Sequence, residues 1–363
     1  MRVAIVCEWL VGIGGAERIV LEVHRMFPDA PIYTSQYDPD KIDWFKQADV
    51  RTGWLQKLPT RFKKFLPVLR AWYFSHLDLS EYDLVIICNF GAEAKAVRTG
   101  PDTTSICLCN APTHYYWSRY EAYLQDPGFP AGFNWLARLG LKLLVSPMRR
   151  WDKRAAQRPD HMVAISTHIQ KEIKKYYGRD STVIHPPVDT ERFQHAKSKQ
   201  RQGFVITGRQ TPYKRIDLAV AACTKLGLPL TVIGDGPERD RLAQMAGPTI
   251  TFTGQIPDEQ IASHLANAQA FIFPGLDDFG IAPLEAMATG TPVIAYRGGG
   301  ALDYVVPGKT GLLFDKQSVP SLTKVLASFQ DYTFSDKTIR AQADMFSRPH
   351  FQRSLKNFVD KLI

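Results

Sequence analysis

Phe204-Val205-Ile206-Thr207-Gly208-Arg209-Gln210-Thr211-Pro212-Tyr213-Lys214-Arg215 decides how the rest of the chain is read. An apolar, β-branched run is followed by a glycine, and a basic turn then leads into a helical pattern over 214–226. A run without alternation marks a strand buried on both faces, as in a parallel sheet. The turn at its carboxyl end is where open parallel sheets bind ligands. Arg209, Lys214 and Arg215 lie within seven residues. Arginine offers a planar fork to phosphate oxygens and lysine a compact charge. Basic residues entering a helix oppose its macrodipole unless an anion is bound there, so the turn points to a diphosphate. A solvated basic turn is the plain alternative.

The same alternation extends in both directions. Strands are expected at 203–207, 230–234, 249–253, 270–273 and 292–295, and before them at 3–7, 83–88, 104–109, 161–165 and 182–185. Helical patterns over 17–27 and 168–177 separate the earlier ones. Two such series predict an α/β chain of two Rossmann-like domains. His185-Pro186-Pro187-Val188-Asp189 ends a strand on two prolines, and a Lys- and Gln-rich stretch follows over 194–202. The division is therefore placed at 1–187 and 188 onwards.

Composition agrees. The 363 residues are enough for two domains, and 45% hydrophobic with 22% charged residues excludes disorder and a small disulfide scaffold. The net charge of +9 favours an anionic partner. No apolar tract reaches the ~18 residues of a membrane span. Met1 runs straight into a strand pattern, so no signal peptide is expected. Five cysteines, at 7, 88, 107, 109 and 223, read as buried thiols of a reducing compartment. Cys107-Leu108-Cys109 lacks zinc-site spacing. Asp38-Pro39-Asp40 matches a metal-binding Asp-x-Asp, but in a polar turn it reads as coincidence, and no metal is expected.

Other glycine-rich loops follow strands. Val11-Gly12-Ile13-Gly14-Gly15-Ala16-Glu17-Arg18 opens a helix without the full dinucleotide spacing. Asp277-Asp278-Phe279-Gly280-Ile281-Ala282-Pro283-Leu284-Glu285 precedes a short helix, with Pro283 suited to its first position. A carboxylate there accepts hydrogen bonds from sugar or ribose hydroxyls, or Glu285 is simply a first-turn acid favoured by the helix dipole. Gly234-Asp235-Gly236 and Gly298-Gly299-Gly300 suggest a glycine-lined mouth for a nucleotide diphosphate.

Taken together these motifs, with Val183-Ile184-His185-Pro186-Pro187-Val188-Asp189 and the terminal helix, resemble the retaining glycosyltransferases of family 4. The resemblance implies the GT-B fold, with two Rossmann-like domains facing a central cleft. It makes 1–187 the acceptor-binding domain and 188–345 the nucleotide-sugar domain, with 346–363 a helix crossing back to the first. It assigns Arg209 and Lys214, beside Gly208, to the donor diphosphate and Glu285 to the nucleotide ribose. Phe279, Gly280, Ile281, Ala282 and Leu284 would supply backbone N–H groups to the donor, and Ile256 would meet the nucleobase. Gly14 and Gly15 would border the diphosphate from the first domain. Asp277 stands where the family usually has Glu, and would contact the donor sugar. Asn110 stands where related sequences have His, near donor sugar and acceptor, with His114 four residues on. Asn cannot shuttle protons near neutral pH, but a donor phosphate oxygen can take the acceptor proton on the same face. The implied substrate is a nucleotide sugar, GDP-mannose by resemblance, and no cofactor is implied.

The acceptor domain carries two basic, apolar stretches. Residues 57–74 hold Lys57, Arg61, Lys63, Lys64 and Arg70 without an acid. Over 133–154, Asn134, Arg138, Lys142 and Arg149 form one polar stripe at helical spacing on an otherwise apolar helix. Such a helix suits the anionic inner face of a membrane and a saccharide or polyprenyl-linked acceptor, in a cytoplasmic protein. The plain alternative is a core helix whose basic residues snorkel outward. A sugar-nucleotide epimerase or hydrolase, or a non-catalytic sugar-nucleotide-binding protein, would share the fold. Tyr115, Tyr116, Trp117 and Tyr120 could stack bases, but they serve equally as sugar platforms, and no nucleic acid is expected.

Overall fold

The computed structural model describes residues 1–59, 66–126, 132, 134–196 and 200–363. Arg61, Lys63, Lys64, Phe133 and linker residues 197–199 lie outside them. The chain forms two compact units, Met1–His185 with Gln352–Ile363, and Pro186–Phe351.

The first unit is built on β1 (Val3–Cys7), β2 (Ile32–Thr34), β3 (Val50–Thr52), β4 (Leu84–Asn89), β5 (Thr104–Cys109), β6 (His161–Ala164) and β7 (Thr182–Val183). Every pairing is parallel, in the order β3-β2-β1-β4-β5-β6-β7. β4 is buried at every residue, which is why its sequence does not alternate. The helix Gly15–Met26 lays Ile19, Val20 and Val23 on the sheet at helical spacing. Ser166 caps the helix Thr167–Tyr177 by accepting from Ile169 N at 3.1 Å, and Gly178, at φ 72°, ends it. The terminal helix Arg348–Val359 reaches this unit. There Gln352 donates to Glu22 at 2.8 Å, and Phe358 meets His161 edge-on.

The second unit holds β8 (Phe204–Thr207), β9 (Leu230–Ile233), β10 (Ile250–Gly254), β11 (Ala270–Phe273), β12 (Val293–Tyr296) and β13 (Gly311–Phe314). These are parallel in the order β10-β9-β8-β11-β12-β13. In each sheet the order reverses beside the first strand, between β1 and β4 and between β8 and β11. The loops leaving those strands part on opposite sides, and the crevice left there is where such sheets take ligands.

The sequence pattern places β1, β5 and β11 at their observed bounds but misses β2, β3 and β13, which are only three or four residues long. All five cysteines are buried and unpaired. Burial pushes the thiols of Cys109 and Cys223 up to about 12, so they are packing residues. No helix among the described residues is long and apolar enough to cross a membrane.

Candidate active site

The β8/β11 reversal gathers the strongest constellation. After β8 the chain passes Gly208, at φ 139°, then exposed Arg209, and tightens into a 3-10 turn at Pro212–Lys214. The helix then starts at Ile216, two residues later than the sequence pattern suggests. Arg215 sits in the left-handed region at φ 52°, the one such non-glycine residue among those described. Its guanidinium grips Asp217 through two hydrogen bonds of 3.1 Å, which removes it from the basic set. Arg209 and Lys214 remain.

Gly275 follows β11 against the backbone carbonyls of Tyr213 and Lys214, each 3.0 Å from where its Cβ would lie. The two loops are therefore in contact. Across that contact Lys214 Nζ donates to Asp277 Oδ2. The sequence places these residues 63 positions apart, and the fold joins them. Lys214 also lies 5.4 Å from the Tyr213 ring centroid and 5.8 Å from that of Phe273. Its apolar surroundings make its charge count for more than in water.

Beyond Asp277, Phe279 is buried against Tyr304, whose hydroxyl donates to the Phe279 carbonyl at 3.0 Å. Gly280 turns the chain at φ 86° into the helix Ile281–Ala288. Pro283 is its third residue, not its first. The position is tolerated because first-turn N–H groups have no helical partner. It leaves Ile281, Ala282 and Leu284 as the N–H carriers of that turn, as the expected set has them. Glu285 lies fifth, half-buried, so it is not a first-turn acid.

The other glycines have a different purpose from the one the sequence suggests. A Cβ on Gly234 or Gly236 would enter the backbone at Gly208 or Gln210, and one on Gly299 or Gly300 the backbone at Asp277 or Phe279. Gly300 N also donates to the Asp277 carbonyl at 2.9 Å. These residues are small so that supporting loops can press the Arg209 and Asp277 loops into place. At the end of β10, Gly254 accepts from Gly234 N at 2.8 Å, and half-buried Ile256 follows.

In the first unit, Gly14 precedes the helix Gly15–Met26 in extended backbone, with Glu17 Oε2 2.8 Å from where its Cβ would lie. Asn110 leaves β5 with its N–H on the Asn89 carbonyl at 2.9 Å. His114 occupies the next turn, its Nδ1 2.9 Å from Ser118 Oγ. Asp38 pairs with Lys41 within a tight turn, as the plain reading expects.

Sequence reasoning missed a buried polar network at the β1/β4 reversal. Glu8 accepts from Asn89 Nδ2, from Phe90 N at 3.0 Å and from Ala94 N at 3.2 Å. Glu93 takes Arg70 at 3.2 Å, and Arg70 lies 4.8 Å over the Trp9 ring. Burial, reinforced by the Glu93 charge, pushes the Glu8 carboxyl up. The one available signal was an acid placed directly after the first strand.

The polar stripe of the helix Asn134–Ala155 is divided: Asn134 and Arg149 are half-buried, while Arg138 and Lys142 are exposed. Arg138 donates to the carbonyls of Leu124 and Gln125 at 2.9 and 2.7 Å, and Arg149 donates to Tyr116 O at 2.5 Å. Its leucines face solvent, with Trp135 65%, Leu136 51% and Leu143 68% exposed. Its first half is therefore not a core helix, whereas its second half packs into the unit through Val145, Met148, Asp152 and Ala155.

Residues 13–192 match the family described as Glycosyltransferase Family 4, and residues 187–341 that described as Glycosyl transferases group 1. The chain belongs to the family 4 glycosyltransferases. The chain is 31% identical over 202 residues to the GDP-mannose-dependent alpha-(1-6)-phosphatidylinositol monomannoside mannosyltransferase of Mycolicibacterium smegmatis. The match covers 47% of this chain and 53% of that protein. It is 32% identical over 176 residues to a GDP-mannose-dependent alpha-mannosyltransferase of the same organism, covering 46% and 47%. The aligned region is about half the length of these curated relatives. Its fold is that of the lipopolysaccharide outer core galactosyltransferase WaaB, with a TM-score of 0.72 at 16% identity over all of both chains. The sucrose-phosphate synthase of Thermosynechococcus elongatus gives 0.73 at 18%, over 100% and 99%. These are GT-B glycosyltransferase structures, and the two parallel-sheet units are their architecture.

Proposed function

We propose that this glycosyltransferase moves mannose from GDP-mannose, with retention, onto a saccharide or polyprenyl-linked acceptor at an anionic membrane face. The carrying observation is the Lys214–Asp277 pair beside exposed Arg209 at the β8/β11 reversal. The names of the matched relatives support the choice of donor. Arg209 and Lys214 take the diphosphate, joined by N–H groups of Phe279, Gly280, Ile281, Ala282 and Leu284. Asp277 takes a donor-sugar hydroxyl, Glu285 the ribose and Ile256 the base. On the family resemblance Gly14 and Gly15 would border the phosphates, and Asn110 and His114 would belong to the acceptor side.

As the bond from the sugar carbon to the diphosphate breaks, negative charge grows on the leaving group, where the two cations oppose it. The acceptor oxygen bonds to the same face of that carbon, and its proton passes to a phosphate oxygen. Asn110 then needs only to orient hydroxyls. The paired cations neutralise the leaving group without a divalent metal. Thermal unfolding against GDP, UDP, ADP, GDP-mannose, UDP-glucose and UDP-GlcNAc tests this reading, with and without EDTA. Selective stabilisation by GDP and GDP-mannose, unchanged by EDTA, is expected. Ligand at 100 times its Kd adds about 2.7 kcal/mol. No shift from any nucleotide overturns the donor site, and sugar release or epimerisation without acceptor favours the epimerase or hydrolase reading.

The exposed leucines support membrane contact. Leu136→Asp/Leu139→Asp/Leu143→Asp is expected to abolish co-sedimentation with phosphatidylglycerol vesicles while leaving the nucleotide thermal shift intact. Full retention on the vesicles rejects the contact. Neutralising Arg138 and Arg149 instead loosens the helix, because both hold main-chain carbonyls.

A further inference from the structure

Asp152 is fully buried near the end of the helix Asn134–Ala155 and receives donors from separate parts of the first unit. Lys95 Nζ, also fully buried, lies 2.7 Å from Oδ1. Trp117 Nε1 donates to Oδ2 at 2.7 Å, and the Tyr177 hydroxyl at 3.0 Å. Thr113 Oγ1 stands at 3.5 Å from Oδ1. Lys95 spends a further hydrogen bond on Ala92 O at 2.5 Å and lies 5.3 Å over the Tyr177 ring. Burial pulls the Lys95 ammonium down, but the Asp152 carboxylate beside it more than reverses this and holds it above the ordinary lysine value.

Burying two charges is costly, and an apolar pair of similar volume generally serves stability as well or better. What an apolar pair cannot do is fix direction. Thr113 and Trp117 bracket His114 and follow Asn110, so two of the Asp152 donors lie in the turn that carries both acceptor-side residues. Lys95 ties the same carboxylate to the loop after β4, and Tyr177 ties it to the helix Thr167–Tyr177. We propose that Lys95 and Asp152 are positioning residues, holding the 110–117 turn in register on the lipid-facing helix so that Asn110 and His114 meet the acceptor. This rests on the proposed transferase reading. Neither residue touches substrate.

Trp117→Phe deletes one donor to Asp152 and leaves the ion pair in place. Lys95→Met/Asp152→Leu replaces the pair with apolar side chains. Trp117→Phe is expected to unfold cooperatively near the wild-type temperature, and the double variant cooperatively but lower, because it leaves the Trp117 and Tyr177 donors unpaired. Both should exchange amide hydrogens faster in peptides covering 110–117, with 204–234 unchanged. With GDP-mannose as donor and octyl α-mannoside as acceptor probe, kcat/KM for the acceptor should fall at least 10-fold while the GDP thermal shift stays at wild type. Unchanged exchange at 110–117 in both folded variants overturns the proposal, as does undiminished acceptor kcat/KM. Wild-type protein that transfers nothing to the probe counts against the transferase reading, and hydrogen exchange still decides the positioning role.

Discussion

Lys214→Ala is expected to lower kcat/KM by about 10²–10³, the usual cost of one preorganised group facing charge that develops in the transition state. Two effects combine. The leaving diphosphate loses a cation, and Asp277, only 8% exposed, loses its partner. An uncompensated carboxylate then faces an incoming dianion and repels it. Adding Asp277→Asn to Lys214→Ala should therefore restore part of the GDP affinity without restoring turnover. The two sites touch, so their effects will not add. Titration with GDP and steady-state rates on the two single variants and the double variant measure the coupling. Wild-type rates in Lys214→Ala, or simple additivity, would remove the pair from the donor site.

Gly300→Ala should be damaging through lack of space alone, at a loop of the proposed donor site. Gly300 has ordinary helical angles, φ −67° and ψ −17°, so alanine meets no backbone strain there. The obstacle is space, because the new Cβ would lie 2.5 Å from the Phe279 carbonyl oxygen, with backbone that cannot rotate away. Overpacking of this kind costs about 1–3 kcal/mol. The movement that relieves it displaces the loop carrying Asp277 and Gly280. Loss of GDP binding should therefore accompany a lowered Tm. Gly308→Ala is the control. Its φ of 75° strains an alanine, but nothing lies within 4 Å of the new Cβ. It should cost only about 1–2 kcal/mol, with nucleotide binding intact. Equal nucleotide affinity in both variants would show that the Gly300 contact does not shape the site.

The N-terminal unit suggests why so much charge is buried beneath its loops. Glu8, Glu93, Lys95 and Asp152 are fully buried, and each is held by hydrogen bonds from different elements. Loops that leave parallel strands have no ladder of their own. Buried carboxylates collect their N–H groups, as Glu8 does for Phe90 and Ala94.

The sequence by itself determined the class of fold. Strands covered on both faces are apolar through most of their length, so β1, β11 and the last four residues of β5 stand out as unbroken runs with turns at their carboxyl ends. Local chemistry also marked the loop containing Arg209 and Lys214 and the loop from Asp277 to Glu285. Strands β2 and β3 escaped because three residues carry too little periodicity to read. Which charges meet was decided only by the tertiary structure. Lys214 finds Asp277 because the sheet order sets β8 beside β11, and Lys95 finds Asp152 across 57 positions because a helix is laid against β4's loop. The same holds for the helix Asn134–Ala155. Its spacing reveals a polar stripe, but periodicity is a property of the helix alone. The direction the stripe faces is set by partners elsewhere, here Leu124, Gln125 and Tyr116, whose carbonyls tie down Arg138 and Arg149 while the leucines of the first half face out.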